Sequence, residues 1–226
     1  MKLIVLKTIR TALLLVLFIA FMHNSNAQNT EFGLRFMPTL SSFDMQTSSG
    51  GKVNGEATLG YGFGGLLGYN MSAHWGFQAE VIYSSISQKY KEVDVEHQIN
   101  LQYLNIPLLL SLNTGKRNPI NFNVVVGPQI GISIGSNVKT TGGDGTSTPP
   151  AVLSVKKGDL GFAYGAGLDF GLNPSQTFRL GLGFRGVYGL FDISDNSNNT
   201  STDSYYILDR TQIKTYSLYA GLSILF

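Results

Sequence analysis

Five charged side chains in this sequence have the types and spacing to act on one another: Arg35, Glu80, Asp169, Arg179 and Arg185. Guanidinium and carboxylate groups can line an ion path, or they can neutralise each other where water is excluded. Other chemistry is poorly provided for. His97 with Asp94 and Glu96 offers parts of a serine–histidine–carboxylate site, but those residues equally suit a hydrated loop. His74 and His97 are expected at opposite ends of the molecule, which favours turn and loop roles over metal ligation. The run Gly60-Tyr61-Gly62-Phe63-Gly64-Gly65 matches a dinucleotide-binding pattern, yet it opens no helix. With no cysteine, thiolate nucleophiles, disulfides and an N-terminal lipoprotein anchor are all excluded. We therefore expect no catalytic residue, no cofactor and no metal site, and the chain reads as a non-enzyme.

The elements that carry the five charges are period-two stretches. Arg35 lies in a run where Phe32, Leu34, Phe36 and Leu40 oppose Glu31, Gly33, Arg35 and Thr39. Glu80 lies where Trp75, Phe77, Ala79, Val81 and Tyr83 oppose Gly76, Gln78, Glu80 and Ser84. Asp169 and the pair Arg179 and Arg185 lie on the glycine-rich faces of two more runs. In all there are eight such strands, the last of them with Tyr216, Leu218, Ala220, Leu222, Ile224 and Phe226 on one face. Pro107, inside the fourth strand, predicts a bulge or a locally broken ladder.

Size decides which face is outside. A soluble barrel would bury the bulky rows, and its glycines would face water with no reason to recur. An eight-stranded membrane barrel has an interior only just wide enough for side chains, so the glycine-rich faces fit inside and the bulky rows meet lipid. Charged residues amount to 13% against a typical quarter, aromatic residues to 12%, and there are 27 glycines. Short links at 70–74, 113–119 and 173–176 alternate with longer ones at 44–57, 89–97, 136–158 and 192–210, as periplasmic turns and extracellular loops do. The expected fold is all-β: an eight-stranded antiparallel up-and-down transmembrane barrel.

The N-terminus predicts export. Lys2, Lys7 and Arg10 precede an apolar run from Ala12 to Met22, and Ser25-Asn26-Ala27 places small residues at a cleavage site. Residues 1–27 are expected to be a cleaved signal peptide and 28–226 the barrel domain. The segment holds three of the sixteen basic residues and no acidic one, so thirteen basic face fourteen acidic residues in the remainder, a net charge of −1. Lys116-Arg117 and Lys156-Lys157 are its only basic clusters, and nucleic acid is not an expected partner.

Inside the barrel the charges nearly balance, which predicts a plugged polar lumen in which Arg179 and Arg185 bridge to Glu80 or Asp169. The alternative use of the same residues is a narrow charged pathway. Outside it, Tyr216, Leu218, Leu222, Ile224 and Phe226 form the expected signal to the outer-membrane barrel assembly machinery. Partners are expected to be outer-membrane lipid and lipopolysaccharide. Among loop residues, Tyr205 and Tyr206 are candidate partner contacts, and Asp192, Asp195 and Asp203 candidate ligands for cations near lipopolysaccharide.

Several segments also carry a family resemblance: Tyr103-Leu104-Asn105-Ile106-Pro107-Leu108-Leu109-Leu110, Val126-Gly127-Pro128, Gly165-Ala166-Gly167-Leu168-Asp169 and Arg185-Gly186-Val187-Tyr188-Gly189. Together with the closing strand, they resemble the PorT-like outer-membrane β-barrel family of Bacteroidetes over essentially all of 28–226. Where that family often has an acidic residue before its Ile-Pro pair, this chain has Asn105. The resemblance implies an integral protein of the cell outer membrane, acting structurally or through envelope and secretion proteins. An accessory role in a protein secretion apparatus is the alternative.

Overall fold

In the computed structural model, the described residues are 30–47, 52–53, 56–92, 95–142, 156–193 and 208–226. The expected signal peptide lies outside them, as do Tyr205, Tyr206, Asp195 and Asp203. The strands are β1 (Thr30–Thr47), β2 (Lys52–Val53), β3 (Glu56–Asn70), β4 (Trp75–Glu92), β5 (Val95–Asn113), β6 (Ile120–Gly142), β7 (Gly158–Gly171), β8 (Phe178–Gly189) and β9 (Leu208–Leu225). Eight long strands pair antiparallel with their sequence neighbours, and β1 pairs with β9 to close the sheet. The ninth element, β2, is a two-residue ribbon that prolongs the β1 ladder at Met45↔Val53 and Gln46↔Lys52.

Alternation explains both faces. On β1, Phe32, Leu34, Phe36 and Leu40 are exposed, while Glu31, Gly33, Met37, Thr39 and Ser41 are buried. On β9, Tyr216, Leu218, Leu222, Ile224 and Phe226 are exposed, with Ser217, Tyr219, Ser223 and Leu225 inside. Ten steps from Tyr216 to Phe226 at about 3.3 Å each, tilted about 40°, give an apolar band roughly 25 Å tall. Aromatic rings gather toward its two margins: Trp75 and Phe77 meet edge-on at 6.1 Å near the short turns, and Phe184 stacks on Tyr216 at 6.3 Å in the other half. Above that half, Lys214 on the outer face bonds Asp44 at 2.5 Å and lies 5.1 Å from the Tyr188 ring.

The ladder is locally broken at Pro107, as expected, and departs from its sequence-based expectation elsewhere. Around Pro107 it breaks without slipping: β4–β5 pairing stops at Ala79↔Leu108 and resumes in the same register at Ile82↔Asn105. On the other side, β5–β6 pairing stops at Pro107↔Gln129 and resumes at Leu110↔Val126. Pro107 and Pro128 each lack an N–H, so bonds are lost but no residue is added. One bulge lies higher, between Gln102↔Gly135 and Tyr103↔Ser133, where Ile134 is the extra residue, and the register also shifts between Gln46 and Thr47 in β1–β9 and between Ala57 and Tyr61 in β3–β4. The link expected over 89–97 is a tight hairpin instead, because β4 and β5 continue above the apolar band to Glu92↔Val95.

Among the described residues the strands end at uneven heights. β6 runs on to Gly142 beside β5, but its pairing with β7 ends at Ile132↔Gly158, and β8 ends at Gly189. Short turns at 71–74, 114–119 and 172–177 share the end that holds Thr30 and Phe226.

Glycines on the inner face make room for one large ring. A Cβ on Gly183 would stand 2.6 Å from Tyr219 Cζ, and one on Gly167 would run into the Tyr219 hydroxyl. Tyr219 in turn lies 4.4 Å beneath the Arg35 guanidinium. Replacing Gly183 by Leu is expected to displace the ring and lower the unfolding free energy by about 1–3 kcal/mol, measured as a lower urea midpoint of the folded, heat-modifiable form.

Candidate functional site

The lumen is stacked in tiers, and each tier follows from the inward positions of neighbouring strands. The middle tier centres on Glu80 of β4, which is 1% exposed. Arg35 of β1 donates from Nη1 to Glu80 Oε1 at 2.6 Å, and Arg185 of β8 donates from Nη2 to the same oxygen at 3.1 Å. Arg185 Nη1 reaches Oε2 at 3.4 Å, and the Gln78 amide also donates to Oε1. One carboxylate therefore ties three strands together across the lumen. Two guanidiniums on one carboxylate carry a local excess of one positive charge.

The lower tier sets two cations, Lys116 and Arg179, beside two acids, Glu31 and Asp169. Asp169 of β7 accepts from Asn121 at 3.0 Å and Asn123 at 3.1 Å, and Lys116 approaches it at 3.4 Å. Lys116 bonds Glu31 of β1 more closely, at 2.8 Å. Arg179, fully buried, does not bridge to either carboxylate as expected. It donates to the backbone carbonyls of Asn118 at 2.9 Å, Asp169 at 3.0 Å and Gln176 at 3.3 Å. Those carbonyls belong to two turns and a strand end, so Arg179 caps the lumen where ladder bonding stops.

Lys116 is the residue that sequence reasoning missed. It sits in a turn beside Arg117 and reads as a surface basic pair, but the turn folds back so that its ammonium enters the lumen. Charge counting could have found it. Among the described residues the inward acids are Glu31, Glu80, Asp159 and Asp169, and Arg35, Arg179 and Arg185 need one more cation to match them. Burial alone would lower the Lys116 pKa, but the Glu31 and Asp169 carboxylates outweigh it and hold the group above the usual 10.5.

The lumen is less uniformly polar than expected. Toward the long links, Phe43, Ile86, Ile99, Leu101, Tyr103, Ile193 and Ile213 pack into an apolar cluster. Lower down, Leu109, Val125 and Ala163 form a second one, with Val187 against it. Inward Ile and Leu on β4 and β5 fill the width that glycine leaves elsewhere. His74 is exposed in the 71–74 turn, whereas His97 stands on β5 at the opposite end, so the two cannot share a site.

Replacing Glu80 by Gln leaves two guanidiniums facing each other without a counter-charge, and is expected to lower the unfolding free energy by about 3–5 kcal/mol in urea titration. The Lys116 ammonium has a raised folded-state pKa, so its contribution is full below pH 10.5 and lost as pH rises through the higher folded value. The wild-type urea midpoint should therefore fall above that pH. In Lys116→Met that part of the fall should be missing, and stability at neutral pH should be lower.

Comparison with known proteins places this architecture. OprG of Pseudomonas aeruginosa, an outer membrane protein, superposes with a TM-score of 0.53 at 13% identity, covering 88% of this chain and 97% of that one. Neisserial surface protein A gives 0.48 at 14% identity, covering 89% of this chain and 100% of the other. No curated protein sequence matches. Residues 26–195 match the outer membrane protein beta-barrel domain, well over half of the chain, and the protein belongs to that family and resides in the outer membrane.

Proposed function

We propose that this is a non-enzymatic closed barrel, acting structurally or through contacts made by its cell-facing segments and periplasmic turns. The observation that carries this reading is the filled lumen. Glu80 is shared by Arg35 and Arg185, Lys116 by Glu31 and Asp169, and apolar clusters fill the intervening width. An eight-stranded barrel leaves no porin-sized channel in any case. In this reading its partners are outer-membrane lipid, lipopolysaccharide and other envelope proteins. The outward row ending at Phe226 is what the assembly machinery reads.

A second reading, an accessory of a PorT-type secretion apparatus, is favoured by the segments around Tyr103–Pro107, Val126–Pro128 and Arg185–Gly189. Two measurements separate these readings from transport and from a barrel without partners. In planar bilayers the folded, heat-modifiable form is expected to show no reproducible conductance steps; stable ion-selective steps would overturn the closed-barrel reading. Deleting 143–155 and 194–207 is expected to abolish partner capture or an export phenotype while the barrel still folds. Unchanged partners and phenotypes would remove the interaction reading.

A further inference from the structure

Between the middle charged tier and the upper apolar cluster lies a chamber of about 50 Å³. Glu80, Arg185, Ser84, Asn105, Asp159 and Tyr103 are among the side chains that line it. Its polar groups are only partly satisfied from within. Asn105 donates to Ser84 Oγ at 2.9 Å, and Thr39 and Ser217 share a hydrogen bond of 2.8 Å. Three buried atoms of lining residues have no protein partner among the described residues: Tyr103 Oη, Asp159 Oδ1 and Arg185 Nε. Tyr103 is 2% exposed, so its hydroxyl is out of contact with bulk solvent. Gly131 lets these groups converge: a Cβ there would come 3.2 Å from Asn105 Oδ1 and 3.3 Å from both Asp159 Cβ and Tyr103 Cδ1.

We propose that this chamber is a binding site for a cluster of ordered water, which bridges the Tyr103 hydroxyl and the Asp159 carboxylate to the Arg185 side of the lumen. The mixture of unpaired groups selects the ligand. Arg185 Nε needs an acceptor, Asp159 Oδ1 needs a donor, and the phenol can be either. A metal cation cannot accept from Nε–H, and an anion would meet the Asp159 and Glu80 carboxylates. A small molecule that both donates and accepts satisfies all three, and the volume suits about three or four waters. On the loop side the chamber is bordered by the apolar cluster of Phe43, Ile86, Ile193 and Ile213. Water is then a structural component of the closed barrel, held where side chains alone leave donors and acceptors unmatched.

X-ray hydroxyl-radical footprinting of the folded barrel in detergent reads this directly, because bound water generates radicals in place. Tyr103 is expected to be oxidised at least tenfold faster than Phe43, which is equally buried in the dry cluster above. Equal, slow rates would overturn the proposal. Thr215→Leu, aimed into the chamber, is expected to slow Tyr103 oxidation about tenfold without changing heat-modifiability; an unchanged rate counts against the site. Should that variant not fold, crystals of the wild-type chain soaked in rubidium salt decide. Water-like density within hydrogen-bond distance of Tyr103 Oη and Asp159 Oδ1, without anomalous signal, supports the cluster. An anomalous peak beside Asp159, or featureless density, overturns it.

Discussion

Closure of the β1–β9 ladder is the condition on which everything else in this molecule rests. In hydrocarbon an unpaired backbone N–H or C=O has no water to turn to, so a sheet can span the membrane only if its first and last strands meet. The pairing from Glu31↔Leu225 to Thr47↔Leu208 meets that demand over nearly the whole length of β1. Once the cylinder is closed at eight long strands its bore is set, and side-chain volume inside becomes the next constraint.

That bore explains why the inner surface alternates between glycine and large groups. Tyr219 can lie across the lumen because Gly167 and Gly183 face it, and Arg35 can lie on Tyr219 because the ring is held flat. The charges follow the same logic. Buried ions are tolerated when paired or hydrogen-bonded, and among the described residues four inward acids equal four inward cations in number. Pairing is by tier rather than by sequence neighbour: Glu80 serves two arginines, Lys116 serves two acids, and Arg179 turns to backbone carbonyls.

Most of the architecture was legible in the chain because a period of two with opposite faces of different size is a direct record of a strand between lipid and a narrow lumen. The outward rows of β1, β4 and β9 and the short turns are as alternation predicted. What the pattern could not record was anything decided by the third dimension. Lys116 reads as a turn residue, and nothing in its neighbours reveals that the turn folds inward. Arg179 pairs with Gly171, two residues from Asp169, yet its acceptors are backbone carbonyls, that of Asp169 among them. Pro107 correctly marked a disturbed ladder, but the β5–β6 bulge fell at Ile134, where no proline or paired glycine signals it. The hairpin at Glu92–Val95 was read as a loop because alternation outside the membrane loses its apolar contrast, while hydrogen bonding continues regardless.

The uneven wall gives the molecule a front and a back. β4, β5 and β6 rise well past the apolar band on one side, while β7 and β8 stop close to it. A cylinder cut obliquely is not rotationally equivalent about its axis. Among the described residues, the ladder outside the band is continued by β4, β5 and β6 and not by β7 and β8. The described ladder is thus asymmetric about the barrel axis even though all eight long strands share in closing it.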